Sequence, residues 1–428
     1  MKTLKYTTSI LLLFFLGNVI AQQIPAAIQS NDYSIEGATL HIGNGEIIEN
    51  SLIMFSNGKI EFVGSAKMKI GRRGTVISAI GKHIYPGFIA TNSSLGLIEI
   101  EAVRASRDQD EVGEMTPHVR SLIAYNAESK VVESMRPNGV LIAQISPKGG
   151  RVSGTSSIVQ FDAWNWEDAV IKADDGIHVN WPNSFSWNRA EKAFKTNKEY
   201  TKQVEDIDAF FLSSKTYNKG NVTIVNLPFQ AMKGVFDGSK KLYIHVDDEK
   251  GIVDAINFKI KNNIPQMVIV GGYQANKVSA QLVKNQIPVL LTPTQSLPES
   301  DDDDYDFPYK LPKILMNDGV LVGIQSGDNS NFQTRNLPFY AGQVAGQGLD
   351  KEKALQLITY NTAKILGIDK DYGSIEVGKS ATLFISEGDA LDMRTNNLTH
   401  AFIDGRMISL ETHQTQLWNR YSEKYKSK

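Results

Sequence analysis

The chain has 428 residues, of which 41% are hydrophobic and 21% charged, with a formal net charge of −2. This is the composition of a globular protein, and the charge leaves no basic footprint for nucleic acid or for an anionic membrane surface. There are no cysteines, which excludes disulfides, zinc–thiolate centres, thiol nucleophiles and lipidation of a mature N-terminal cysteine.

The chain opens like an export signal. MKTLKY carries two lysines, SILLLFFLG is a short apolar core, and Val19-Ile20-Ala21 places small residues where a signal peptidase cuts, just before Gln22. The apolar run is short for a membrane span. Residues 1–21 are therefore expected to be a cleaved signal peptide and the mature protein to be periplasmic or secreted. From Tyr33 to Tyr85 the texture is that of hairpins: GATLHIGNG, SLIMFSNGKIEFVG and TVISAIGKHIYPG alternate at period two around Asn-Gly turns.

From Pro86 to Gly367 apolar runs alternate with amphipathic ones. GVLIAQIS, VTIVNL, KLYIHV, QMVIVGG, PVLLTP and VLVGIQSG predict buried strands. IVDAINFKIKNN, YQANKVSAQLVKN and DKEKALQLITYNTAKILG predict helices. That order argues for parallel βαβ units. Hairpin texture returns in GSIEVGKSATLFISEGDAL and THAFIDGRMIS. The expected architecture is an α/β chain: a TIM-like (β/α)8 barrel, residues 86–367, inserted in a discontinuous β-sandwich lobe, residues 22–85 and 368–412, with a last helix in 413–428. The length suits one such barrel with an added lobe.

The stretch YPGFIATNSSLG, then a barrel, then Thr359, Asn361 and Ala363 ahead of Gly373, Ile375, Gly378, Lys379, Ala381 and Leu383, resembles the amidohydrolase superfamily. It is most similar to the imidazolonepropionase-like branch. The resemblance implies a barrel hydrolase that cleaves C–N bonds with a metal-activated water. The family pattern P-G-F-I-D-x-H-x-H-L-G meets Pro86, Gly87, Phe88, Ile89, Leu95 and Gly96 here. Its Asp falls on Ala90 and its two first-strand His on Asn92 and Ser94. The fifth-strand His falls on His245 and the eighth-strand Asp on Asp328. The sixth-strand His falls near Val270 or Gly271, and Asn226 stands near the place of a fourth-strand lysine.

By this resemblance His245 and Asp328 are the expected catalytic pair and the remaining metal ligands. Two ligands fall short of the three that a catalytic zinc takes. No cofactor is thus required by the residues, and one divalent metal such as zinc is what the resemblance leaves open. His178 is the further imidazole that could join them, and His118 is the other histidine able to face the cleft. Asn92, Ser94, Asn331 and Arg335 are expected to contact substrate. Arg335 could clamp a carboxylate or pair with Asp328.

Other segments admit two readings. His245 with Asp247 and Asp248 is a general-base unit or a relic. ESDDDDYDFPY is a solvated acidic loop or a calcium loop. Trp164, Trp166 and Trp181 lie in a Gly- and Ser-rich segment that is either packing or a cleft edge. Arg104, Arg107 and Arg120 are substrate contacts or a salt-bridged surface. The residues leave two functions open: a C–N hydrolase with a rebuilt site, and a pseudoenzyme that binds a small ligand or an active relative, as a homo- or heterodimer.

Overall fold

The computed structural model describes residues 24–188, 191–220, 224–327 and 331–426. The expected signal peptide and Asp328 lie outside the described residues. No helix among the described residues is long and apolar enough to cross a membrane.

One eight-stranded sheet makes the barrel. Its strands are β1 (Phe88–Ser93), β2 (Val140–Ile145), β3 (Val152–Gln160), β4 (Val170–Asn180), β5 (Lys241–Val246), β6 (Met267–Gly271), β7 (Val289–Leu291) and β8 (Val322–Ile324), paired in that order. The seam between β8 and β1 is bridged at two levels. Near the mouth the Ser326 backbone N–H donates to the Thr91 carbonyl at 3.1 Å. Lower down, the Leu357 and Ile358 carbonyls accept from Ile324 and Ile89.

The interior is filled by Ile89, Ile142, Ile158, Tyr243, Val268, Val270 and Leu290. It is plugged from below by Ala363, Ile365 and Leu366 of the helix Tyr360–Leu366. Asn361 holds that plug by donating to the Val322 carbonyl at 3.1 Å. The floor of the barrel is thus a packed core, and chemistry is left to the opposite end, where strands finish.

The lobe is a sandwich of two sheets around Leu40, Ile53, Phe55, Ile84, Leu383 and Phe402. The larger sheet pairs His83–Pro86 with Leu383–Ser386, so strands from both ends of the chain share it. Its companion turns at Asn57 and Gly58, both at positive φ (47° and 77°), the geometry that an Asn-Gly hairpin turn requires. His41 donates to the Glu352 carboxylate at 2.7 Å and ties the lobe to the barrel.

Two sequence expectations are corrected. The described part of VTIVNL, from Ile224, does not form a strand: Ile224 and Val225 are exposed, and Asn226 caps the helix Leu227–Ala231 by accepting from the Phe229 N–H. The Gly- and Ser-rich segment, absent from the strands expected of the barrel and read as packing or a cleft edge, supplies β3 and β4 themselves. β3 runs antiparallel to both neighbours while the remaining neighbours pair in parallel, so one unit of the barrel is a pair of hairpins and not βαβ. The reason is visible in VSGTSSIVQ. Every residue of β3 is buried, yet Ser153, Thr155, Ser156, Ser157 and Gln160 spend their side chains on hydrogen bonds, so apolar periodicity never marks it.

Candidate functional site

The cleft at the barrel mouth encloses about 480 Å³. It lies over the ends of β4 to β8 and is lined by Arg151, Asn180, Trp181, His245, Asp247 and Gln325, among others. Trp181 is buried and forms a wall, its indole N–H donating to the Tyr200 hydroxyl at 3.2 Å. Trp164 is exposed elsewhere.

Beneath the cleft lies a polar network. Asp175, fully buried, accepts from the Ser156 hydroxyl (2.6 Å), the Gln144 amide (2.9 Å) and the Tyr243 hydroxyl (2.8 Å). A bulge puts it there. Between the pairs Ser156–Gly176 and Ile158–Lys172, β4 advances further than β3, and Asp174 takes a positive φ of 53°. Such a bulge re-aims side chains. Gly176 follows because a Cβ there would collide with the Tyr243 ring. Burial and the Asp175 carboxylate hold the Tyr243 phenol well above its ordinary pKa, so it remains a donor.

The network reaches the end of β1. Gln144 accepts from the Asn92 backbone N–H at 3.2 Å, and the Asn92 side-chain amide donates to Gln325. Asn92 sits in a bulge of β1 at φ 51°, a conformation that Asn tolerates better than most residues. Its Oδ1 accepts from the Lys148 ammonium at 2.7 Å, and its carbonyl lies 3.3 Å from the same nitrogen. Ser94 donates to Asn331 Oδ1 at 2.5 Å. Asn331 in turn donates to the Ile98 carbonyl and the Glu101 carboxylate. Ser94 and Asn331 therefore brace one another at the rim.

His178 and His245 come together, Nδ1 to Nε2 at 2.8 Å. His178 is completely buried, stacks on Tyr243 with ring centroids 4.7 Å apart, and leaves its Nε2 without a hydrogen-bond partner. Burial first, then His245 and Lys148, push its pKa well below the ordinary histidine range, so the ring is neutral. Only the tautomer with hydrogen on Nδ1 avoids burying an orphaned N–H donor. That tautomer donates to His245.

The other candidates are dispersed. Arg335 is exposed on the turn Asn331–Asn336, outside the cleft lining, and its backbone carbonyl accepts from Asn138. His118 is exposed, and Arg120 pairs with Asp174 at 2.8 Å. Arg104 donates to the Arg107 carbonyl. In the acidic loop, Lys310 pairs with Asp306 at 2.7 Å and Tyr273 donates to Asp303 at 2.8 Å. Burial and the neighbouring carboxylates of Asp247, Asp303 and Asp248 raise the Glu299 pKa to about 7.

These residues do not fit a family-type metal. The oxygen of Asn92 faces an ammonium, Ser94 is spent on Asn331, and the two imidazoles are bonded to each other. Tetrahedral zinc ligands at 2.0–2.1 Å would stand about 3.3 Å apart, wider than the 2.8 Å pair. At the sixth-strand position a Cβ on Gly271 would lie 2.5 Å from Asp247 Oδ1, so Asp247 fills the space a histidine would need. Among the described residues no group of three or more His, Asp or Glu side chains is placed to hold a metal.

Sequence reasoning named Asn92, Ser94, His178 and His245. It missed Gln144, Lys148, Asp175 and Tyr243. A glutamine inside the otherwise apolar VLIAQI, and an acidic pair just before IHV, are the signals that could have found two of them.

Three comparisons with known proteins bear on this site. The Amidohydrolase family model matches residues 230–408. An adenine deaminase of Clostridium botulinum (strain 657, type Ba4) is 24% identical over 391 residues, which cover 88% of this chain. The chain spans 56% of the length of that relative. The structure of an amidohydrolase from Thermotoga maritima MSB8 superposes with a TM-score of 0.77 at 25% identity, covering 88% of this chain and 99% of the other. An adenosine deaminase from Xanthomonas campestris with bound zinc gives a TM-score of 0.53 at 13% identity, covering 93% and 99%. At that identity it speaks for the fold alone.

Proposed function

We propose, for a chain that belongs to the amidohydrolase superfamily, that the barrel mouth binds a small, polar, nitrogen-rich ligand and that C–N hydrolysis is weak or lost. The adenine deaminase relatives make a nucleobase or cyclic amide the ligand class to try first. The observation that carries this reading is the Lys148 ammonium seated on Asn92 at the end of β1. A metal hydrolase needs a bound water brought to a pKa of about 7 by a divalent ion. Two unit charges 4 Å apart repel by about 4 kcal/mol near a protein surface, and a divalent ion beside the lysine would double that.

The cleft itself supports binding. Its roughly 480 Å³ falls within the ordinary range of ligand sites, about 300–1,000 Å³. Arg151 and Asp247 offer both charges, Asn180 and Gln325 offer amides, and Trp181 offers a flat wall.

The test is elemental analysis of wild type and His245→Ala purified without chelators, together with two assays. One is ammonia release from adenine, acyl-amino acids, dipeptides and cyclic amides. The other is a thermal-shift screen of the same compounds. The expected outcome is no stoichiometric metal, negligible turnover, and a raised Tm with at least one compound. Stoichiometric zinc that falls in His245→Ala, with ammonia released by the wild type, would show a working hydrolase and sink this reading.

Export belongs to the same proposal, supported by the two lysines, the apolar run and the small residues of the N-terminal segment. N-terminal sequencing of the protein recovered outside the cytoplasm is expected to begin at Gln22. A chain that keeps Met1 contradicts it.

A further inference from the structure

The turn between β2 and β3 places a lysine over the end of β1. Lys148 follows Pro147, whose ring limits the backbone, and its own N–H donates to the Gln109 carbonyl at 2.6 Å. Gly149 and Gly150, both at positive φ, then turn the chain back into β3. The backbone at the lysine is thus anchored, and its ammonium contacts two oxygens of Asn92, Oδ1 at 2.7 Å and the carbonyl at 3.3 Å.

Asn92 is a built acceptor for that charge. It is 1% exposed, its backbone is bulged, and its side-chain amide is oriented by Gln325, which leaves Oδ1 facing the lysine. Gln144 continues the chain from the Asn92 N–H to the buried Asp175 carboxylate. A cation at one end and an anion at the other are joined by side-chain amides.

We propose that Lys148 is the resident cation of this barrel: its ammonium occupies the end of β1 that the fold otherwise gives to a metal, and it excludes a divalent ion from that place. The inference rests on the metal-free reading of the cleft. A metal held by Asn92 Oδ1 would stand about 2.0–2.2 Å from it, inside the volume the ammonium fills. A tethered charge also needs no supply from solution, and lysine carries it as a compact point charge.

Four proteins test this: wild type, the double variant Asn92→His/Ser94→His, the same double with Lys148→Met, and Lys148→Ala alone. Each is loaded with zinc, desalted and analysed for metal, with affinity measured by competition against a chromogenic chelator. The double variant is expected to hold zinc poorly. The triple variant is expected to bind at least about tenfold more tightly, a change of the size that neighbouring groups impose on metal sites. Equal affinity in double and triple overturns the proposal.

Should the triple variant fail to fold, Lys148→Ala decides. Its Tm is expected to fall and to be partly restored by methylammonium but not by methanol at the same concentration. No selective restoration overturns the proposal. Metal-dependent turnover by the wild type would sink the ligand-binding reading of the cleft; zinc affinity indifferent to Lys148 would sink this inference alone.

Discussion

Asp175→Ala is expected to destabilise the protein by roughly 2–4 kcal/mol, because a buried donor left without an acceptor costs about 1–3 kcal/mol and the Tyr243 phenol loses its acceptor outright, while Ser156 and Gln144 keep only longer bonds to the Gly176 carbonyl at 3.3 Å and the Ser156 hydroxyl at 3.4 Å. The donors that lose Asp175 are the Ser156 hydroxyl, the Gln144 amide and the Tyr243 phenol. None can turn to water, since Ser156, Gln144 and Tyr243 are completely buried. Asp175→Asn should cost less. Its oxygen can still accept from Ser156, while its new N–H groups face the Gln144 amide and the Tyr243 hydroxyl, of which only the hydroxyl can rotate to accept. Urea denaturation of the two variants beside the wild type measures the order. Losses below about 1 kcal/mol for both would mean that solvent or a repacked interior satisfies these donors, and the network would not be what organises the barrel interior.

The same network explains what could be read in advance. The hairpins of the lobe, β5, β6 and the helix plugging the floor carry apolar periodicity or turn residues, and periodicity follows burial. Thr359, Asn361 and Ala363 are informative because a packed floor tolerates few alternatives: Asn361 holds a backbone carbonyl of β8, and Gly373 leaves no room for a Cβ against Ala363. They mark the fold and say nothing of the chemistry. β3 and β4 were not legible because Ser, Thr, Gly and Asp fill many of their buried positions among the apolar ones, and the acceptor Asp175 draws its donors from β2, β3 and β5. Such partners are set by tertiary pairing and not by local spacing.

The candidate site divides along the same line. Asn92 and Ser94 could be found because the frame around them resembles a pattern with histidines at those positions, and His245 because it lies on a strand end. Lys148 sits in a turn, outside any motif, and only the bulge of β1 brings Asn92 to it. His178 was visible as an unassigned imidazole, but its pairing depends on β4 lying beside β5, where His178 stands opposite Tyr243. Arg335, by contrast, admitted two readings in the sequence, a carboxylate clamp or a partner for Asp328, and lies exposed outside the cleft lining.

That pairing leads to the second large effect, a loss of stability in mild acid centred on His178. In the unfolded chain its pKa is near the ordinary value of about 6.5. In the folded protein it is pushed well below that, by burial first and then by His245 and Lys148. The sign follows from proton counting. Below pH 6.5 the unfolded state takes up a proton that the native state refuses, so stability is whole above that pH and declines as pH falls toward the folded pKa. Each such group contributes a slope of up to about 1.4 kcal/mol per pH unit in that window.

His178→Phe keeps a ring against Tyr243, removes the orphaned Nε2 and cannot titrate. The variant is expected to lose less stability than the wild type between pH 6.5 and 5, by about 1 kcal/mol or more over the interval. His245, half-buried at the cleft, keeps access to water when its partner is gone. Urea unfolding at a series of pH values gives both slopes. Parallel slopes in wild type and variant would show that His178 is not held neutral, and the hydrogen bond between the two imidazoles would then have to be reassigned with His178 as the charged partner.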